Sequence, residues 1–140
     1  MDQRKKTRLP MYDYRSNGFY FVTIVTRLRQ DLLENRKDVV EKILKETIHS
    51  VRGTSIDTFI IMPNHIHTIL VLRDSLLHLG EIVRRFKAKT SRVIGQHLWQ
   101  ANYYEHVIRD ENALERIRQY IALNPEMELI KFDQFYHGRR

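Results

Sequence analysis

The 140-residue chain contains no cysteine, which rules out a disulfide framework, thiolate zinc centres and cysteine nucleophiles. Any metal it binds must sit on histidine, carboxylate or amide oxygen. Proline is scarce at three residues and glycine at five, too few for a collagenous or linker-rich chain. No glycine-rich phosphate-binding loop is present. No window approaches the ~20 consecutive apolar residues of a membrane span, and the start MDQRKKTRLP lacks the apolar stretch of a secretory signal. The expected compartment is the cytoplasm. What is present is the composition of a folded protein, 42% hydrophobic and 29% charged. Acidic residues are in deficit, 17 against 24 Lys and Arg, and the resulting net charge of +7 favours a polyanionic partner.

No internal repeat or linker interrupts residues 15–129, so a single domain over 1–140 is expected, with a basic arm at about 1–11 and a tail at about 126–140. Residues 19–26 (FYFVTIVT) read as a strand too apolar for an exposed edge. From Asp38, apolar residues recur at helical spacing through Val40, Ile43, Leu44, Ile48 and Val51, and Gly53 supplies a stop. SIDTFIIM and HIHTILVLR, separated by Pro63 and Asn64, predict a hairpin. A second helix places Leu79, Ile82, Val83, Phe86, Val93, Ile94 and Leu98 on one side. YYEHVIR predicts a last strand, and Asp110 can cap a final helix running through Tyr120 to Asn124-Pro125. The order βαββαβ is that of the ferredoxin-like (split βαβ) α+β fold: a four-stranded antiparallel sheet with two helices on one face. The additional C-terminal helix is then free to lie against the other, open face or its edge.

His65 and His67 flank Ile66 at the start of a strand, where the period of two sends both imidazoles to one face. Ile66, Leu70 and Leu72 have the opposite parity and read as the helix-packed face, so the histidines should look toward the open side, exposed to a substrate. The pair suits two metal ligands; it equally suits a turn histidine beside an incidental one. Tyr120 and Asn124, four apart on the last helix, share a face. A phenol can act as a nucleophile and an amide oxygen as a third ligand for a hard ion, or the two can be a core tyrosine and an ordinary helix end. Basic residues concentrate at Arg4, Lys5 and Lys6 and along the second helix at Arg84, Arg85, Lys87, Lys89 and Arg92. Tyr12, Tyr14, Trp99, Tyr103 and Tyr104 are candidates to stack on unpaired bases beside them.

Over residues 12–125 the sequence resembles the single-tyrosine HUH transposases of the insertion-sequence type, nearest to the branch associated with repetitive extragenic palindromes (REP). The specific stretches are MPNHIH and RQYIALNP, supported by YDYRSNGFYFVTIVT and LGEIVRRFKAKTSRVI. The resemblance implies His65 and His67 as metal ligands, Tyr120 as nucleophile and Asn124 as the third ligand, where many relatives carry Gln. It implies Mg2+ or Mn2+ as cofactor, single-stranded DNA with a hairpin as substrate, and no membrane partner. Cleavage would pass through a 5'-phosphotyrosine intermediate. Relatives occur as homodimers and as monomers, so both assemblies stay open. A domesticated, non-catalytic hairpin-binding module is the alternative function, and a rolling-circle replication nuclease is the third.

Overall fold

A computed structural model describes residues 17–123. Four strands, β1 (Gly18–Val25), β2 (Thr54–Met62), β3 (His65–Leu72) and β4 (Tyr104–Ile108), form one antiparallel sheet in the order β2-β3-β1-β4. Three α-helices accompany it: α1 (Lys37–His49), α2 (Leu79–Ile94) and α3 (Glu111–Leu123). The expected ferredoxin-like order is present. β1 and β3 occupy the two central positions, which accounts for their near-continuous apolar sequence, and every residue of β3 is buried.

Alternation along the central strands divides the interior in two. Tyr20, Val22, Ile24, Ile66, Leu70 and Leu72 face α1 and α2 and form the larger core with Val40, Leu44, Ile48, Ile82 and Phe86. Phe21, Ile69 and Ile108 face the other way and meet Ala113, Leu114, Ile117 and Ile121 of α3. The C-terminal helix therefore lies on the face the two other helices leave open. Asp110 caps it as its sequence position suggests, its carboxylate accepting from the Ala113 amide at 2.8 Å.

Two sequence expectations are corrected. The second helix stops at Ile94 rather than reaching Leu98, because Gly95 takes a left-handed φ of 86° and its amide closes the helix on the Ser91 carbonyl. Leu98 and Trp99 instead run beside the end of β1, with a bridge between Thr26 and Trp99 and a bond from the Arg27 amide to the Leu98 carbonyl. Val93, placed on the apolar side by periodicity, is exposed. A β-bulge at Asp57 also interrupts the pairing of β2 with β3, which hydrophobic alternation did not announce.

Candidate active site

Both histidines project from the start of β3 onto the α3 face, as their parity requires. His67 lies opposite Thr23 of β1 and Ile60 of β2, and His65 opposite Val25 and Met62. Their rings approach each other edge-on with centroids 4.5 Å apart, and Phe21 packs on His67 at 5.6 Å. The expected exposure is wrong: His65 is 5% exposed and His67 0%. α3 and its apolar cluster lie on this face, so the pair is buried rather than set on an open sheet surface.

Burial fixes the charge of the pair. Desolvation, reinforced by the positive charge of Arg29, lowers the His65 pKa to about 4. Desolvation and the neighbouring His65 hold His67 well below the ordinary imidazole value. Both rings are therefore neutral at pH 7, the form that offers a nitrogen lone pair. Their Nδ1 atoms are engaged, His65 with the Asn64 Oδ1 at 2.7 Å and His67 with the Thr23 Oγ1 at 2.9 Å. The Asn64 oxygen can only accept, so His65 carries its proton on Nδ1. His65 Nε2 is buried and has no hydrogen-bond partner, an arrangement that suits a ligand atom with a fixed tautomer.

Tyr120 sits on α3, half-buried at the margin of the Phe21–Ile69–Ile117 cluster and so on the histidine face. Burial raises its pKa above the ordinary phenol value, so the resting side chain carries its proton. α3 is tied to the sheet by Arg118, which donates from Nε and Nη2 to the two Asp57 carboxylate oxygens at 2.9 and 2.7 Å. The bulge at Asp57 lies in this same ion pair.

The second helix is on the opposite side of the sheet, and its charges are more committed than the run RRFKAK implies. Glu81 accepts from both Arg84 and Arg85, Lys89 pairs with Glu46 of α1, and Lys87 donates to the carbonyls of Gln100 and Ala101. Arg92 is exposed. Trp99 and Tyr103 are buried, with the Trp99 indole donating to Thr90, so neither is a stacking platform; Tyr104 is half-buried opposite Thr23. Arg4, Lys5, Lys6, Tyr12, Tyr14 and Asn124 lie outside the described residues. Among the described residues no third His, Asp or Glu joins the histidine pair. Sequence reasoning missed Thr23, Asn64 and Arg29; only Asn64, adjacent to His65 in the PNHIH motif, carried a visible signal.

Residues 15–124 match the family model described as IS200-like transposase. The chain belongs to that family. The transposase is 35% identical to an uncharacterized protein of Haemophilus influenzae, with 95% of this chain and 93% of that one aligned. It is 26% identical to the REP-associated tyrosine transposase of Escherichia coli, over 80% of this chain and 68% of that protein. Its fold matches the solved structure of a REP-associated tyrosine transposase bound to a REP hairpin, with a TM-score of 0.73, 23% identity, and coverage of 84% of this chain and 72% of the other. No helix among the described residues of the transposase is long and apolar enough to cross a membrane.

Proposed function

We propose that this transposase cleaves and rejoins single-stranded DNA beside a hairpin, using Tyr120 as its nucleophile and a divalent ion as its cofactor. The observation that carries this reading is the histidine pair itself: two adjacent, neutral, buried imidazoles whose Nδ1 atoms are held, with Tyr120 on the helix that covers the same face. In this reading the transposase works on cytoplasmic DNA. The hairpin-bound relative supports a folded-back strand as the form recognised.

His65 and His67 fit a divalent ion by donor chemistry, and Asn124 is the third ligand in this reading. When bound there, Mg2+ or Mn2+ would polarise the scissile phosphodiester and stabilise its developing charge. The Tyr120 hydroxyl attacks phosphorus and gives up its proton, the bond to the departing 3'-oxygen breaks, and that oxygen takes up a proton, yielding a 5'-phosphotyrosine and a free 3'-hydroxyl. Since one phosphoester replaces another, a second 3'-hydroxyl can reverse the step without a nucleotide triphosphate. The raised pKa of Tyr120 means that its proton must be removed as attack proceeds, not beforehand.

The test is incubation with a labelled single-stranded hairpin and Mn2+ or Mg2+, followed by denaturing electrophoresis and mass mapping. A covalent adduct on Tyr120, absent with chelator and absent from Tyr120→Phe, is the expected result. An adduct of equal yield from Tyr120→Phe contradicts the assignment.

A further inference from the structure

The corner that follows β1 holds a backbone that its residues do not prefer. Leu28 (φ 56°, ψ 20°) and Arg29 (φ 56°) are consecutive left-handed residues, and neither is glycine, asparagine or aspartate. That conformation is costly for a residue with a Cβ and persists only where the surroundings impose it. Here the surroundings are specific. The Thr26 hydroxyl is 2.6 Å from the Gln30 carbonyl and 3.0 Å from the Asn64 carbonyl. The Arg29 amide donates to Thr26, the Gln30 amide to Arg27, and the Arg27 amide to Leu98. A long bond of 3.4 Å runs from the Asn64 side-chain amide to the Arg29 carbonyl.

Asn64 is also the residue whose Oδ1 engages His65, so one side chain joins the strained corner to the histidine pair. The Arg29 side chain is exposed, and no acidic group among the described residues pairs with it. Through Asn64, the Arg29 backbone stands one side chain away from the His65 ring. An exposed guanidinium without an acidic partner, on a corner joined to His65 through Asn64, is an unfavourable neighbour for a cation and a favourable one for an anion. Arginine offers a planar fork of donors that matches two phosphate oxygens at once.

We propose that Arg29 is a phosphate-binding residue, presented by the strained corner 26–30 to a phosphodiester of the single strand held at the histidine pair. The proposal rests on the cleavage reading above and adds the residue that grips the strand there. It also accounts for the placement of a cation next to a metal site: bound DNA supplies the negative charge that lets Arg29 and a divalent ion occupy neighbouring positions, so each should favour the other only when the strand is present.

The experiment compares wild type, Arg29→Asn and Arg29→Lys. Asparagine tolerates the left-handed backbone and is neutral, so the corner keeps its shape while the charge is lost. Hairpin binding is measured in chelator across a salt series, single-turnover adduct formation in Mn2+, and Mn2+ affinity with and without DNA. Arg29→Asn should lower the slope of log K against log salt by about 0.7, the value for one phosphate contact on single strands. It should slow adduct formation about 10- to 100-fold and bind Mn2+ more tightly than wild type when DNA is absent. Arg29→Lys should keep the slope and recover part of the rate. An unchanged slope in Arg29→Asn overturns the proposal whatever the rates show. If wild type forms no adduct but Arg29→Asn still loses slope, the phosphate contact stands and the cleavage reading falls.

Discussion

The two faces of the sheet are built from the same strands and do different work. On the α1/α2 face, alternate residues of β1 and β3 include Tyr20, Val22, Ile24, Ile66, Leu70 and Leu72, all within one continuous apolar core, with Thr68 between them donating its hydroxyl to the Thr58 carbonyl. On the α3 face the same strands place Phe21, Thr23, His65, His67 and Ile69, where apolar contact is shared with two imidazoles and a hydroxyl. The first face is closed by two helices; the second is roofed by one, which the Asp57–Arg118 ion pair ties to the edge strand. A single residue step along β3, from Ile66 to His67, therefore separates the larger apolar core from the proposed metal site.

The sharpest break in that comparison is a pair of neighbouring substitutions. Ile66→Ala should destabilise the fold by about 2–5 kcal/mol, the cost of a large-to-small change in a packed core, measured by urea denaturation. His65→Ala should retain a cooperative fold yet lose adduct formation below detection. Equal loss of stability from the two would mean that the histidine face is core like the other.

Acid should distinguish the faces next. In the metal-free protein His65 takes up its proton near pH 4 when folded, against about 6.5 for an unperturbed imidazole. Between these values the unfolded chain binds more protons, so stability is full above pH 6.5 and is lost as pH falls toward 4. The loss from His65 alone should be roughly 3 kcal/mol at most, and His65→Ala should flatten that part of the pH profile. An unchanged profile in the variant would place the titrating group elsewhere.

A smaller effect is expected from the tie between α3 and the sheet. Arg118 is 40% exposed, so Asp57→Asn should cost less than about 1 kcal/mol of stability. Because α3 carries Tyr120, the same change should slow adduct formation about tenfold while DNA affinity is little altered. The charge exchange Asp57→Arg with Arg118→Asp should recover part of the rate. The smallest effect belongs to the helix on the far face. Replacing Arg84 and Arg85 with Ala should barely alter the salt dependence of DNA binding, since Glu81 already pairs with both; a fall of more than about 0.7 in slope would restore that helix as a DNA surface.

Much of this arrangement is legible in the sequence because it depends on local periodicity. The alternation around HIH gives the face of both histidines, the apolar spacing gives three helices, and Asp110 announces its cap. What is not legible depends on residues distant in the chain. The pairing of Thr23 with His67 follows from the β1–β3 register, and the Asp57–Arg118 bond spans 61 positions. Burial of the histidines depends on where α3 docks, which its own sequence left open between face and edge. The pairing within the basic run on α2 is hidden for a related reason: Glu46, which pairs with Lys89, comes from another helix. Leu28 and Arg29 give no sign of their left-handed backbone, because it is imposed by Thr26, Asn64 and Leu98 rather than chosen by the residues themselves.

The division between the faces is tested most directly by following the imidazole 15N resonances of the full chain during titration with a diamagnetic divalent ion, Mg2+ or Zn2+, in the presence of an uncleavable hairpin strand. Large shifts at Nε2 of His65 and His67, with Nδ1 of His65 remaining protonated and the other histidines unmoved, are the expected result. Shifts confined to other histidines, or none at His65 and His67 at saturating ion, would contradict a metal site on the α3 face.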